Sequence, residues 1–223
     1  MASQAEPVQI DLPKLPVKHE DFIGYLDRNR DKPVAELLQP FQQYDFEMRK
    51  VFAQLPSHEA IATPSVVPVF AGQEKTLRAR ARDLQAEDEK ARDSYIMPLN
   101  HEERRPNGSP AIAQSLKDFQ TNFNVFSESS LVDLNWDNVV AAGSSVVTPL
   151  LAVPEEHRGS KRALRQYYHE QIAVASDVDL FLYDLTEEKA IEKIKEIEKS
   201  IRDAILAETT TVRTKNAITI VSQ

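Results

Sequence analysis

The octapeptide Ser176-Asp177-Val178-Asp179-Leu180-Phe181-Leu182-Tyr183 constrains this chain more than any other stretch. It puts two carboxylates, one residue apart, at the mouth of an otherwise apolar strand. Successive side chains in a strand point to opposite faces, so Asp177 and Asp179 share a face, roughly 6.5–7 Å apart along the backbone. Like charges on a partly buried face repel and lose hydration. A divalent cation held by oxygen ligands removes that cost. Upstream, Ala142-Gly143-Ser144-Ser145 reads as a small-residue turn after an apolar run. Backbone N–H groups at a helix N-terminus bind phosphate, and small side chains let phosphate approach. Together the two motifs predict a phosphate-and-metal site. Each also has a plainer reading, as an ordinary capped turn and as two solvated strand-end acids. The metal reading requires a third oxygen ligand, from a neighbouring strand, a substrate phosphate or water. Asp184 is a poor source, being at the far end of the strand and on its other face.

Composition narrows the classes. The 223 residues suffice for one fair-sized domain plus a tail, or for two small domains. Apolar residues make up 41% and charged residues 28%, so part of the chain is expected to lie outside the core. The net charge of -8 disfavours nucleic acid as a partner, because phosphate contacts demand clustered Lys and Arg. The absence of cysteine excludes disulfides, Cys-ligated zinc and thiol catalysis. No basic segment followed by an apolar run opens the sequence, and no apolar stretch approaches the ~20 residues of a membrane helix. The chain therefore reads as soluble, with no membrane partner, in the cytoplasm or nucleus.

Residues 1–18, with Pro7, Pro13 and Pro16, read as an extended or disordered tail. Residues 19–56 read as a helical arm. Phe22, Ile23 and Leu26 have helical spacing, and Asp31-Lys32-Pro33-Val34 restarts a helix with Asp31 near the N-cap. Leu37, Leu38, Phe41, Tyr44, Met48, Val51, Phe52 and Leu55 form its stripe, kinked at Pro40. The arm is either a hairpin packed on the rest of the chain or an amphipathic partner-binding segment. Residues 57–110 read as linker and solvated helix, with Val66–Phe70 at most an edge strand and 74–93 a charged helix. Arg78, Arg80, Arg82 and Arg92 are read as a solvated face rather than an RNA contact.

From residue 111 the texture changes. Ile112, Leu116, Phe119, Phe123 and Phe126 predict an amphipathic helix. Leu131–Leu134 and Val139–Ala142 read as extended pieces around Trp136, and Ser144 as the cap of a helix over Ser145–Leu151. Residues 152–175 form an insertion with a basic, aromatic run: Lys161, Arg162, Arg165, Tyr167, Tyr168 and His169. That run either contacts nucleotide phosphates or covers the core as an amphipathic helix. Thr186 caps a helix striped by Ile191, Ile194, Ile197, Ile201 and Ile205. Thr210–Arg213 and Ala217–Val221 read as two strands around Lys215-Asn216. Lys215 is one candidate for reaching a triphosphate, or a hairpin-tip lysine.

Ala142-Gly143-Ser144, then a helix, then Asp177-Val178-Asp179, resembles the nucleotidyltransferase superfamily typified by DNA polymerase beta. The resemblance covers about residues 131–223. It implies a Gly-Ser turn holding the triphosphate, an Asp-x-Asp strand binding Mg2+ (or Mn2+), and a third carboxylate from a later strand. An acceptor hydroxyl would then attack the α-phosphorus in line. In those terms Asp177 and Asp179 are catalytic and metal-binding, and Gly143, Ser144, Ser145 and Lys215 hold the nucleotide. A wider resemblance links most of the chain to the N-terminal region of uncharacterised fungal ankyrin-repeat-type proteins. It is carried by Lys32–Leu38, Ser94–Leu99, Phe123–Leu134, Ser176–Leu185 and Thr210–Val221, and it implies no activity.

Two departures from the superfamily stand out. Gly143 and Asp177 lie 34 positions apart, longer than usual, so an insertion follows Leu151. The sequence also stops before a further strand delivers the third carboxylate, so the chain reads as a fragment, a shortened gene product or a truncated paralogue. The expectation is an α+β chain: a helical arm, then over 111–223 a small mixed sheet flanked by helices, nucleotidyltransferase-like and incomplete at its C-terminus. It binds a magnesium nucleoside triphosphate. The alternative is a degenerate version of that fold serving as an interaction or regulatory module, with a protein partner on the arm or on the 161–169 run.

Overall fold

In the computed structural model, residues 10–62, 68–70, 72, 79–83, 85–86, 88, 104–174 and 177–222 are described. Residues 1–9, most of the charged 74–93 segment and Ser94–Leu99 lie outside them. The chain divides into two units, Met1–Leu77 and Arg78–Gln223. Its class is α+β.

The first unit is helical. A 3-10 turn at His19–Asp21 leads into α1 (Phe22–Arg28), followed by α2 (Val34–Gln54). Pro33, in extended backbone, takes the N-cap position in place of Asp31, and α2 runs on through Pro40 as one helix. Phe41 gathers the aromatic residues of the preceding segment. Phe22 meets it edge-on at 4.9 Å between ring centroids, and His19 at 6.0 Å. Leu37 and Val51 are buried, whereas Val34, Phe46 and Phe52 face solvent.

The second unit carries α3 (Leu116–Phe126), β1 (Val139–Ala142), α4 (Ser144–Leu150), α5 (Lys161–Gln166), β2 (Asp179–Leu182), α6 (Glu187–Ala204), β3 (Thr209–Arg213) and β4 (Ile218–Ser222). Side-chain oxygens start three of these helices. Ser115 Oγ accepts from the Asp118 N–H, Ser160 Oγ from Ala163 and Thr186 Oγ1 from Lys189. Each satisfies a backbone donor that the first helical turn leaves unpaired. A π-helical turn, Tyr167–Ile172, extends α5.

The small mixed sheet expected from the sequence does not form. The described residues make two separate two-stranded sheets, both antiparallel. β1 and β2 pair from Val139 opposite Leu182 to Ala142 opposite Asp179. β3 and β4 pair from Thr209 opposite Ser222 to Arg213 opposite Ile218. The second pair closes on itself through a local turn, in which the Thr214 N–H donates to the Ala217 carbonyl at 2.9 Å. Leu131–Leu134 is also not a strand. Glu128 and Ser129 leave α3 in left-handed backbone, with φ of 51° and 62°. Successive turns then carry the Leu131 and Leu134 side chains into the core without extended pairing.

Two apolar clusters hold this unit together. One joins Phe126, Val153, Leu164, Tyr167, Tyr168 and Ala173. The other joins Phe123, Leu131, Leu134, Val139 and Ile197, with Leu180, Leu182 and Ile201 against it. Val178 packs on both. The isoleucine stripe of α6 is thus only partly inward: Ile197 is buried and Ile191 is exposed. Lys193 takes an inner position instead. Its stem is buried, and its ammonium donates to the Asn135 carbonyl at 3.4 Å and pairs with Glu196 at 2.9 Å. That partner holds the Glu196 carboxyl below its ordinary range.

Candidate functional site

Antiparallel pairing puts the end of β1 beside the start of β2. Asp179 therefore stands opposite Ala142, with Gly143 next in the chain. A Cβ built on Gly143 would lie 3.7 Å from Asp179 Oδ2. Gly143 and Ser144 are exposed. The structure thus brings the turn and one carboxylate of the pair together, with both open to solvent.

The turn depends on its glycine. Gly143 has φ 81° and ψ −151°, a region that L side chains rarely adopt. It is also the N-cap of α4, displacing Ser144, which becomes the first helical residue. Ser145 faces inward. It is 1% exposed, and its hydroxyl donates to the Ala142 carbonyl at 3.0 Å. That bond ties β1 to α4 and leaves Ser145 a structural part of the turn. Pro149, near the end of α4, gives its carbonyl to the buried Asn122 amide at 3.0 Å, which locks α4 against α3.

Asp177 sits just before β2, not within it. Val178, next to it, packs on both clusters, and Asp177 and Asp179 on either side are both exposed. Among the described residues no group of three or more His, Cys, Asp or Glu side chains gathers. Two carboxylates are what these residues could offer a metal, and a hard cation held by them would need its remaining oxygens from elsewhere, such as phosphate or water.

Lys215 lies at the tip of the β3–β4 hairpin, exposed, in a sheet separate from the one that carries the acids. The basic, aromatic run takes the amphipathic form. Tyr167 and Tyr168 are buried in the first cluster, so neither offers a face to a base. Arg165 pairs with Glu128 at 2.8 Å, and this hydrogen bond raises the guanidinium above its ordinary value. His169 Nε2 lies 3.3 Å from the Val125 carbonyl and 3.5 Å from Glu128. The run thus fastens α5 and its π-helical extension to the end of α3.

From its residue types Leu180–Tyr183 is the apolar body of one strand. In the structure Leu180 and Leu182 pack on the core, while Phe181 and Tyr183 stand 57% and 53% exposed on the face of the acids. The alternation itself carried that signal. No family model, curated protein or solved structure matches this chain.

Proposed function

We propose that residues 111–223 form a nucleotidyltransferase-like domain that binds a magnesium nucleoside triphosphate at the β1–β2 end. The observation that supports this reading is Asp179 Oδ2 lying 3.7 Å from the point where a Cβ on Gly143 would stand. A glycine that leaves its backbone uncovered and a carboxylate on the adjacent strand suit one anionic, metal-bound ligand. Asp177 and Asp179 would hold Mg2+ or Mn2+, and Gly143 and Ser144 would take the phosphates. The cation, when bound, neutralises phosphate charge and polarises the phosphoryl oxygens. The chain's own part is to orient the triphosphate so that an acceptor hydroxyl can reach the α-phosphorus in line.

Thermal unfolding with and without ligand tests binding. A ligand that binds only the folded state raises Tm. The expected result is a rise that needs both Mg2+ and a nucleoside triphosphate and disappears in Asp177→Ala/Asp179→Ala. No rise with any triphosphate, in Mg2+ or Mn2+, rejects the proposal.

A second reading keeps the fold as an interaction module without transfer. It is favoured by the apolar side chains that α2 leaves in solvent, Val34, Phe46 and Phe52. Exposed apolar side chains on a helix are surface that a protein partner would cover. Incubation with α-labelled triphosphate separates the two: label moving to an acceptor supports the enzyme, and binding without transfer supports the module.

A further inference from the structure

Burial alternates without a break along β2 and one residue beyond. Asp179, Phe181 and Tyr183 are exposed, and Leu180 and Leu182 are half-buried. Tyr183 still belongs to the ladder, since its N–H donates to the Asn138 carbonyl at 3.2 Å. Val140, directly across from Phe181, is exposed as well. The outer face of this strand therefore runs acid, aromatic, aromatic, with the exposed Asp177 just before it. Each step of two residues covers about 6.5–7 Å, so Phe181 lies one step from the carboxylate beside Gly143.

We propose that Phe181 and Tyr183, backed by Val140, form the platform on which the base of the bound nucleotide stacks. This rests on the reading of Asp177, Asp179 and Gly143 given above. The two ends of the stripe ask for different chemistry. The acids take a cation and, through it, phosphate; the rings take a flat, weakly hydrated surface. A metal-bound nucleoside triphosphate supplies both ends in one molecule. Stacking reads the π-face that every base possesses rather than its hydrogen-bonding edge, so the site accepts all four bases.

Titration calorimetry on the full chain in Mg2+ separates the parts, with inorganic tripolyphosphate as the base-free probe beside ATP, GTP, CTP and UTP. All four nucleotides are expected to bind about 5–150-fold tighter than tripolyphosphate, the range that one stacked base supplies. Phe181→Ala/Tyr183→Ala should bring ATP down to the tripolyphosphate level and leave tripolyphosphate binding unchanged. Phe181→Leu keeps an apolar side chain and should still lose most of the difference. Both rings lie outside the core, and circular dichroism checks that the variants stay folded. Equal binding of ATP and tripolyphosphate to the unaltered chain overturns the platform and leaves the phosphate-and-metal site standing. So does an equal loss of both ligands in the double variant. No binding of either probe removes the site and the platform together.

Discussion

At Gly143 the cost of any side chain is set by backbone rather than by space. A Cβ there meets Asp179 Oδ2 at an ordinary contact distance. The dihedral region, however, is worth about 1–3 kcal/mol against an L residue. Gly143→Ala should therefore lose about that much stability in urea denaturation, even though the new methyl group fits. Tyr168 presents the opposite case. It is fully buried, and its hydroxyl finds no hydrogen-bond partner among the described residues. Removing an unsatisfied polar group is nearly neutral or stabilising. Tyr168→Phe should thus match or exceed the parent in stability, whereas Tyr168→Ala should lose about 3–5 kcal/mol.

Burial pushes the Tyr168 hydroxyl above the ordinary phenol range, and burial pushes Tyr167 the same way. Below about pH 10 both states of the chain hold these protons. Above it the unfolded chain loses them first, so stability falls as pH rises. Denaturation midpoints measured from neutral to alkaline pH should show that fall, and Tyr168→Phe should flatten it.

Among the elements, one helix start was read correctly as a cap, Thr186, whereas Pro33 and Gly143 took the cap positions expected for Asp31 and Ser144. Thr186 was readable as a cap because a hydroxyl followed by acids and an isoleucine stripe is a local pattern. Thr186→Ala and Ser160→Ala should each cost about 1 kcal/mol by equilibrium unfolding. The β1–β2 pairing was legible only as two strands, because antiparallel register depends on where Val178 finds its core. Leu131–Leu134 misled because so short an apolar run, Leu131-Val132-Asp133-Leu134, does not tell a strand from a series of turns, and the left-handed exit at Glu128 and Ser129 is not visible in residue types. The tyrosines of the 161–169 run looked available for stacking until packing claimed them. The β3–β4 hairpin was the easiest strand pair to read and is the least supported, with most of its residues exposed. A two-stranded hairpin is marginal in water. Amide exchange over Thr209–Ser222 should therefore run well ahead of exchange in α3 and β1.

For the whole molecule, charge sets the choice of partners. With a net charge of -8 and a sequence pI near 5.2, the chain repels polyanions at neutral pH. It should not shift duplex DNA or RNA in a gel assay at physiological ionic strength. A small triphosphate that brings its own cation meets far less of that repulsion. Among the described residues, no helix is long and apolar enough to cross a membrane. Val178 carries the larger consequence. Among the described residues, the one between the two acids is the only one that packs on both clusters, so a pull on the outer stripe is shared by both halves of the unit. A ligand seated there would act as a clamp. Its grip would register as slower exchange in α3, α5 and α6 together, far from any atom it touches.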